Sequence, residues 1–214
     1  NYKAANDASI KWRIFDIVGE GDNAYVTLIS ENCVNLEKAA IQATGNIVIS
    51  GYTLTDPTVS DSQEMINYLT NPDNWVGFKD SDSKFAESVV GTPTLQEFQR
   101  SYNKKFTPTL DISLNGDGYY VKLSNATNYE YRTNVGTTGI DIDLYILLDD
   151  LGTIEDSYWL ASRSGDFSYC AMSVNKSGYV TSECTTAAPL GVRPVISLKS
   201  TVKMIEKNEM IELI

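Results

Sequence analysis

The last third of the chain constrains its fold most strongly. SYWLASRS, CAMSV, YVTSEC and GVRPVISLKS follow one another at residues 157–164, 170–174, 179–184 and 191–200. They are rich in β-branched and aromatic residues, and turn-forming residues separate them. Asn175-Lys176-Ser177-Gly178 sits between CAMSV and YVTSEC and reads as a four-residue hairpin turn. Counting outward with Val174 opposite Tyr179 sets Cys170 opposite Glu183, one step from Cys184, so a bulge is needed to bring the two sulfurs together.

Two earlier stretches repeat the hairpin pattern. WRIFDIV at 12–18 alternates, Gly19-Glu20-Gly21-Asp22 turns, and AYVTLIS continues. LDISLNG at 110–116 is followed by an Asp117-Gly118 turn and by YYVKLS. NIVIS at 46–50 reads as a buried strand, and residues 34–44 fit a short helix or a loop. DIDLYILLDD at 141–150 is a short apolar strand or turn with acidic flanks.

Helical signals come early. Ser60 is the expected N-cap of DSQEMINYL, with Gln63 three residues on, and Asn71-Pro72 stops the helix. Thr92-Pro93 is the expected cap and first turn of a second helix, whose Leu95, Phe98 and Tyr102 share one face. Helices early and strands late predict an α+β fold, with early helices packed on a mostly antiparallel sheet and a strand-rich C-terminal half. The 214 residues suit one interlocked unit, or two lobes with a boundary near 103–118, the segment richest in turns.

Composition excludes several functions. The formal charge of −11 disfavours binding to nucleic acid and to anionic lipid. The chain has no histidine, which removes Ser-His-Asp and Cys-His catalysis and His-based zinc hydrolysis. No apolar run of membrane-spanning length occurs and no signal peptide is recognisable. The chain opens at Asn1, which reads as a processed or trimmed start.

GTPTLQEFQRSYN at 91–103, YWLASRS at 158–164 and GVRPVISLKS at 191–200 together resemble a module of surface proteins of clostridia and related Gram-positive bacteria. Such modules are often joined to type IV pilin-type leader helices. The YW-hairpin-GVRP order also resembles the C-type lectin-like superfamily. The resemblance implies a secreted, non-catalytic surface protein: the soluble head of a type IV pilin-like subunit, working in filament assembly and adhesion. Its partners would be other pilin subunits and a host or surface ligand. The pilin's apolar N-terminal helix is not part of this sequence. The lectin-like alternative is a glycan- or protein-binding module acting through loops at 125–139 and 163–169.

Residue by residue, plainer readings accompany these. Tyr158 and Trp159 read as core and rim aromatics of a sheet, and Arg193 as a structural arginine that forks onto a carboxylate or backbone carbonyls. The three cysteines, Cys33, Cys170 and Cys184, leave an odd thiol. Two readings stay open: a Cys170–Cys184 disulfide, or a structural zinc ion held by all three with a carboxylate or water. Asp80-Ser81-Asp82 and Asp141-Ile142-Asp143 lack EF-hand spacing and read as solvated loop charges. Asn125-Ala126-Thr127 matches a glycosylation sequon, and Lys11 and Lys122 are isopeptide candidates by strand position alone.

Overall fold

The computed structural model describes residues 12–21, 24–30, 33, 46–49, 52–54, 62–78, 85–136, 157–175, 177–184, 190–202, 204–207 and 210–213. Two four-stranded antiparallel sheets dominate it. The first joins Trp12–Val18 (β1), Tyr25–Ser30 (β2), Ala86–Val90 (β5) and Val195–Leu198 (β12) in the order β1-β2-β12-β5. The second joins Arg132–Asn134 (β8), Tyr158–Arg163 (β9), Cys170–Val174 (β10) and Tyr179–Cys184 (β11) in the order β8-β11-β10-β9. Three ribbons pair Asn46–Ile49 with Tyr52–Leu54 (β3, β4), Leu110–Asn115 with Gly118–Leu123 (β6, β7) and Met204–Lys207 with Met210–Leu213 (β13, β14).

The helices are minor insertions between strands. Ser62–Thr70 (α1) and Leu95–Asn103 (α2) have nine residues each, and a 3₁₀ turn spans Pro72–Phe78. The expected α+β arrangement of early helices on a later sheet is therefore corrected: the fold is β-rich. The hairpin β1–β2 opens the described chain, and its sheet is completed by the late strand β12. Helical signals cover only two short windows, because Asn71-Pro72 stops α1 and a run of strand formers follows Asn103. DIDLYILLDD and residues 34–44 lie outside the described residues, as do the Ser60 cap, Lys11 and the Asp80–Asp82 and Asp141–Asp143 pairs.

Period-two alternation explains why one strand serves two cores. In β9, Tyr158 and Leu160 enter a cluster with Phe98, Tyr102, Leu110 and Val121, while Trp159 and Ala161 enter another with Met65, Leu69, Trp75 and Ile196. Leu28 and Ile29 of β2 divide in the same way, as do Ile196 and Val195 of β12. The face of α1 closes one cluster and the face of α2 the other. The apolar runs WL and VI thus read as continuous because both sides are buried.

The start of α2 differs from the expected one. Thr94, not Thr92, is the N-cap, and it forms a capping box with Glu97: the Glu97 amide donates to Thr94 Oγ1 (3.2 Å) and the Thr94 amide donates to Glu97 Oε2 (2.8 Å). Thr92 is buried instead, and its hydroxyl donates to the Trp159 carbonyl. The Ala161 amide donates to Pro93 O (2.9 Å) and the Trp159 amide to Gly191 O (3.1 Å). The outer edge of β9 is thereby covered by this chain itself.

Arg193 takes the structural role. It is buried, its Nε and Nη2 donate to Ser30 O at 3.0 and 2.8 Å, and its guanidinium lies 5.1 Å from the Tyr158 ring centre. The Ser30 amide in turn donates to Pro194 O (3.0 Å). One arginine therefore fastens β2, in the first sheet, to the aromatic that starts β9, in the second.

Candidate functional site

Antiparallel pairing brings four strand termini together. β8 and β10 start, and β9 and β11 end, at one end of the second sheet. Cys170 and Cys184 lie at that end and are joined as a disulfide, with their Cα atoms 4.0 Å apart. No bulge is needed. Cys170 pairs directly with Cys184, and Ala171 takes Glu183.

The one-residue offset from the sequence count comes from the turn. Asn175 belongs to the ladder, and its amide donates to Tyr179 O (2.9 Å). The turn proper closes from the Gly178 amide to Asn175 O (3.0 Å), with Gly178 at φ 80°. This is the three-residue connection with a left-handed glycine bulge. Asn175 Oδ1 also accepts from the Ser177 and Tyr179 amides (3.0 and 3.1 Å), so the asparagine fixes the turn as well as pairing. The β6–β7 turn shows the same kind of offset. Asn115 pairs with Gly118, so the turn is Gly116-Asp117, with Gly116 at φ 60°.

The expected zinc ligands are not gathered. Cys170 and Cys184 spend their sulfurs on each other, and Cys33 directs its thiol to Ser157 O (3.8 Å). Among the described residues no group of three or more His, Cys, Asp or Glu side chains is placed to hold a metal ion.

Three loops surround the disulfide. In 164–169, the Cys170 amide donates to Phe167 O and the Ser164 amide to Cys170 O, each at 3.0 Å. Ser168 O accepts both the amide and the hydroxyl of Ser62 at 2.9 Å, which ties the loop to the start of α1. The β6–β7 turn packs from the other side: the Gly165 amide donates to Tyr119 O (2.9 Å), Tyr120 Oη donates to Gly165 O (2.5 Å), and Arg163 pairs with Asp117 at 3.4 Å. In 124–131, Val121 and Glu130 exchange amide–carbonyl bonds (2.8 and 3.0 Å), and the Ser182 amide donates to Tyr131 O (2.9 Å).

Three of the exposed side chains here are aromatic. Tyr129, Tyr131 and Phe167 are 43%, 45% and 49% exposed. Lys122 Nζ lies 4.8 Å from the Tyr129 ring centre, and the Arg132 guanidinium lies 5.9 Å from Tyr131 and 5.7 Å from Tyr179. Phe167 stacks on Tyr169 at 5.3 Å. Glu183, next to Cys184, has its carboxyl pushed up by burial.

The two loops expected to bind a ligand thus meet in part. Residues 125–131 and 163–169 share the disulfide end. Residues 132–134 are strand β8 instead of loop, and Asn134, opposite Tyr179, lies at the far end. Residues 137–139 are outside the described set. Tyr158, Trp159 and Arg193 are core residues and do not reach this surface. Sequence reasoning did not single out Tyr129 and Tyr131. Their signal was the alternation Tyr129-Glu130-Tyr131-Arg132.

A second polar cluster ties α2 to β1. Asp16 is buried, with Arg100 Nε at 2.5 Å and Lys104 Nζ at 2.6 Å. Desolvation alone would raise its carboxyl. The hydrogen bonds and charges of Lys104 and Arg100 outweigh it and hold Asp16 below its ordinary value. Lys104 also donates to Ile17 O (2.5 Å), Ser101 donates to Phe15 O (2.5 Å), and the Ile17 amide donates to Asp16 Oδ1 (2.8 Å). This cluster uses backbone groups along the edge strand β1 that could otherwise recruit another strand.

Comparison with protein-family models, with curated proteins and with solved structures finds no match in any of the three. No helix among the described residues is long and apolar enough to cross a membrane.

Proposed function

We propose that this chain is a non-catalytic, extracellular surface protein, the soluble head of a type IV pilin-like appendage subunit, whose contact surface is the disulfide end of the second sheet. The observation that carries the reading is the Cys170–Cys184 disulfide beneath loops that expose the aromatic side chains Tyr129, Tyr131 and Phe167. Disulfides persist in oxidising compartments, and contact residues concentrate on loops held by a rigid scaffold. The resemblance of YWLASRS and GVRPVISLKS to clostridial surface modules supplies the filament context. Partners are then other subunits of the filament and a ligand outside the cell.

A second reading, a C-type lectin-like binding module without a filament role, is favoured by the meeting of 125–131 and 163–169 at one end. Both readings assign recognition, not catalysis, and the absence of histidine supports that assignment. Immunogold labelling of intact producing cells separates them. Label along filaments supports the pilin-like head, and label on the cell body alone supports the binding module. Label found only inside permeabilised cells contradicts both.

A further inference from the structure

We infer that the Cys170–Cys184 bond is a redox switch: a dithiol reductant opens it through Cys184 while the sheet stays folded, and opening loosens the loop 164–169. This gives the regulation of the proposed contact surface and rests on that reading of the disulfide end.

The two cysteines are not equally accessible. Cys170 is buried, whereas Cys184, the last residue of β11, is partly exposed. Thiol–disulfide exchange depends on access and on which sulfur is attacked. A reductant thiol, after losing its proton to solvent, therefore attacks Cys184 Sγ. A bond forms between the two, the Cys170–Cys184 bond breaks, and its electron pair leaves on Cys170, which takes up a proton. The second reductant thiol, also deprotonated, then attacks its own partner sulfur. Cys184 leaves and is protonated, and the dithiol departs as its own disulfide. Two electrons have passed to the protein. A monothiol stops at the first step, because Cys170 stays directly across the ladder and recloses on the mixed disulfide.

The sheet has other means of staying folded. Cys170 and Cys184 end a ladder of five consecutive pairs that runs back to Val174 and Val180. The Gly178 amide closes the turn at the other end, and β8 and β9 flank the hairpin. What the bond steadies is local. The Cys170 amide donates to Phe167 O, and Cys170 O accepts the Ser164 amide. The loop that exposes Phe167 thus closes on one member of the bond. The third thiol stands apart: Cys33 is directed to Ser157 O, just before the start of β9 and at the opposite end of the sheet. Opening and reclosing therefore involve the same two cysteines, without reshuffling.

The test incubates the oxidised chain without denaturant, at neutral pH, with dithiothreitol or with glutathione at equal thiol concentration. Samples are alkylated at intervals and their peptides are weighed, while circular dichroism follows the fold. Dithiothreitol is expected to make Cys170 and Cys184 alkylatable with the circular dichroism unchanged. Glutathione is expected to leave most chains closed, with any trapped adduct on Cys184. Hydrogen exchange at the Ser164 and Cys170 amides is expected to rise at least about tenfold on opening, and at Asn175 and Gly178 to stay as it was. Removing dithiothreitol in the presence of oxidised glutathione is expected to restore the bond and the slow exchange. A bond that resists dithiothreitol until urea is added would overturn the switch. So would loss of the fold on opening, an adduct on Cys170, or unchanged exchange at Ser164 and Cys170. Surface labelling with an unreactive bond would overturn the switch while leaving the proposed function standing. Label confined to permeabilised cells would overturn that function whatever the bond does.

Discussion

Cys170 and Cys184 face each other across β10 and β11 with their Cα atoms 4.0 Å apart, and loops 164–169 and 124–131 rise from the same end of the sheet. The bond therefore closes the base of the proposed contact surface. It spans a sequence separation of 14, and cross-linking a loop of that length stabilises by about 3 kcal/mol in the chain-entropy account. Cys170→Ala/Cys184→Ala is expected to lower unfolding stability by about 2–3 kcal/mol in urea titration. It is also expected to speed amide exchange at Gly165 and Cys170 before the rest of the sheet. A loss under about 0.5 kcal/mol would show that the β10–β11 turn alone holds this end.

Asp16 makes a pH-dependent contribution. Its carboxyl is lower in the folded chain than its ordinary value of 3.8. Its stabilisation is thus present above 3.8 and is lost as pH falls through the lower folded value. Asp16→Asn is expected to destabilise by about 1–3 kcal/mol at neutral pH, because Lys104 and Arg100 are left facing a neutral group. The gap between wild type and variant should close as the urea titration is repeated at falling pH below 3.8. A gap independent of pH would contradict the ion-pair account. Since Lys104 also occupies the Ile17 carbonyl, the variant is expected to self-associate more readily, which light scattering would detect.

The approach of the β6–β7 turn to loop 164–169 depends on two glycines. A Cβ on Gly118 would lie 2.3 Å from Ser164 O and 2.5 Å from Gly165 Cα, both backbone atoms that cannot swing aside. A Cβ on Gly165 would meet the Tyr120 ring at 2.2 Å, and that side chain can rotate. Gly118→Ala is therefore expected to cost more than Gly165→Ala, within about 1–3 kcal/mol for such overpacking. Chemical denaturation of the two variants gives the order, and the reverse order would contradict this packing.

Tyr68 is a buried hydroxyl without a hydrogen-bond partner among the described residues, and desolvation pushes its phenol up to about 12. Tyr68→Phe removes the unpaired group and keeps the ring, which packs edge-on to Trp75 at 5.9 Å. The substitution is expected to be neutral or stabilising by up to about 1 kcal/mol. Ultraviolet titration should show one tyrosine fewer ionising near pH 12 in the variant. Marked destabilisation would mean that the hydroxyl has a partner.

Much of the fold could be read from local pattern, and its failures have physical causes. The hairpins β1–β2, β6–β7 and β10–β11 were visible because alternating apolar residues flank glycine-containing turns, whereas the ribbons β3–β4 and β13–β14 were not read as hairpins. Two turns were displaced by one residue, since a left-handed glycine can end a turn as well as centre it. That single step decided whether Cys170 met Glu183 or Cys184. The helix cap was missed because Thr92-Pro93 matches a cap and first turn as well as Thr94 with Glu97 does. Only the Trp159 carbonyl, 67 residues away, shows where Thr92 belongs. The Asp16 cluster joins residues 84 and 88 apart, and no local pattern encodes it. The loops proposed here as a contact surface were legible only as turn-rich polar segments. Their meeting at one end was not, because it follows from the strand order.

The central claim is a surface protein whose recognition end is held by a disulfide. Its most direct test is the mass of the chain isolated from producing cells, with free thiols alkylated before lysis is complete and no reductant added. The account predicts one alkylated cysteine, Cys33, and a Cys170–Cys184 peptide pair that separates only on reduction. Three alkylated cysteines would contradict both the joined strands and the oxidising compartment.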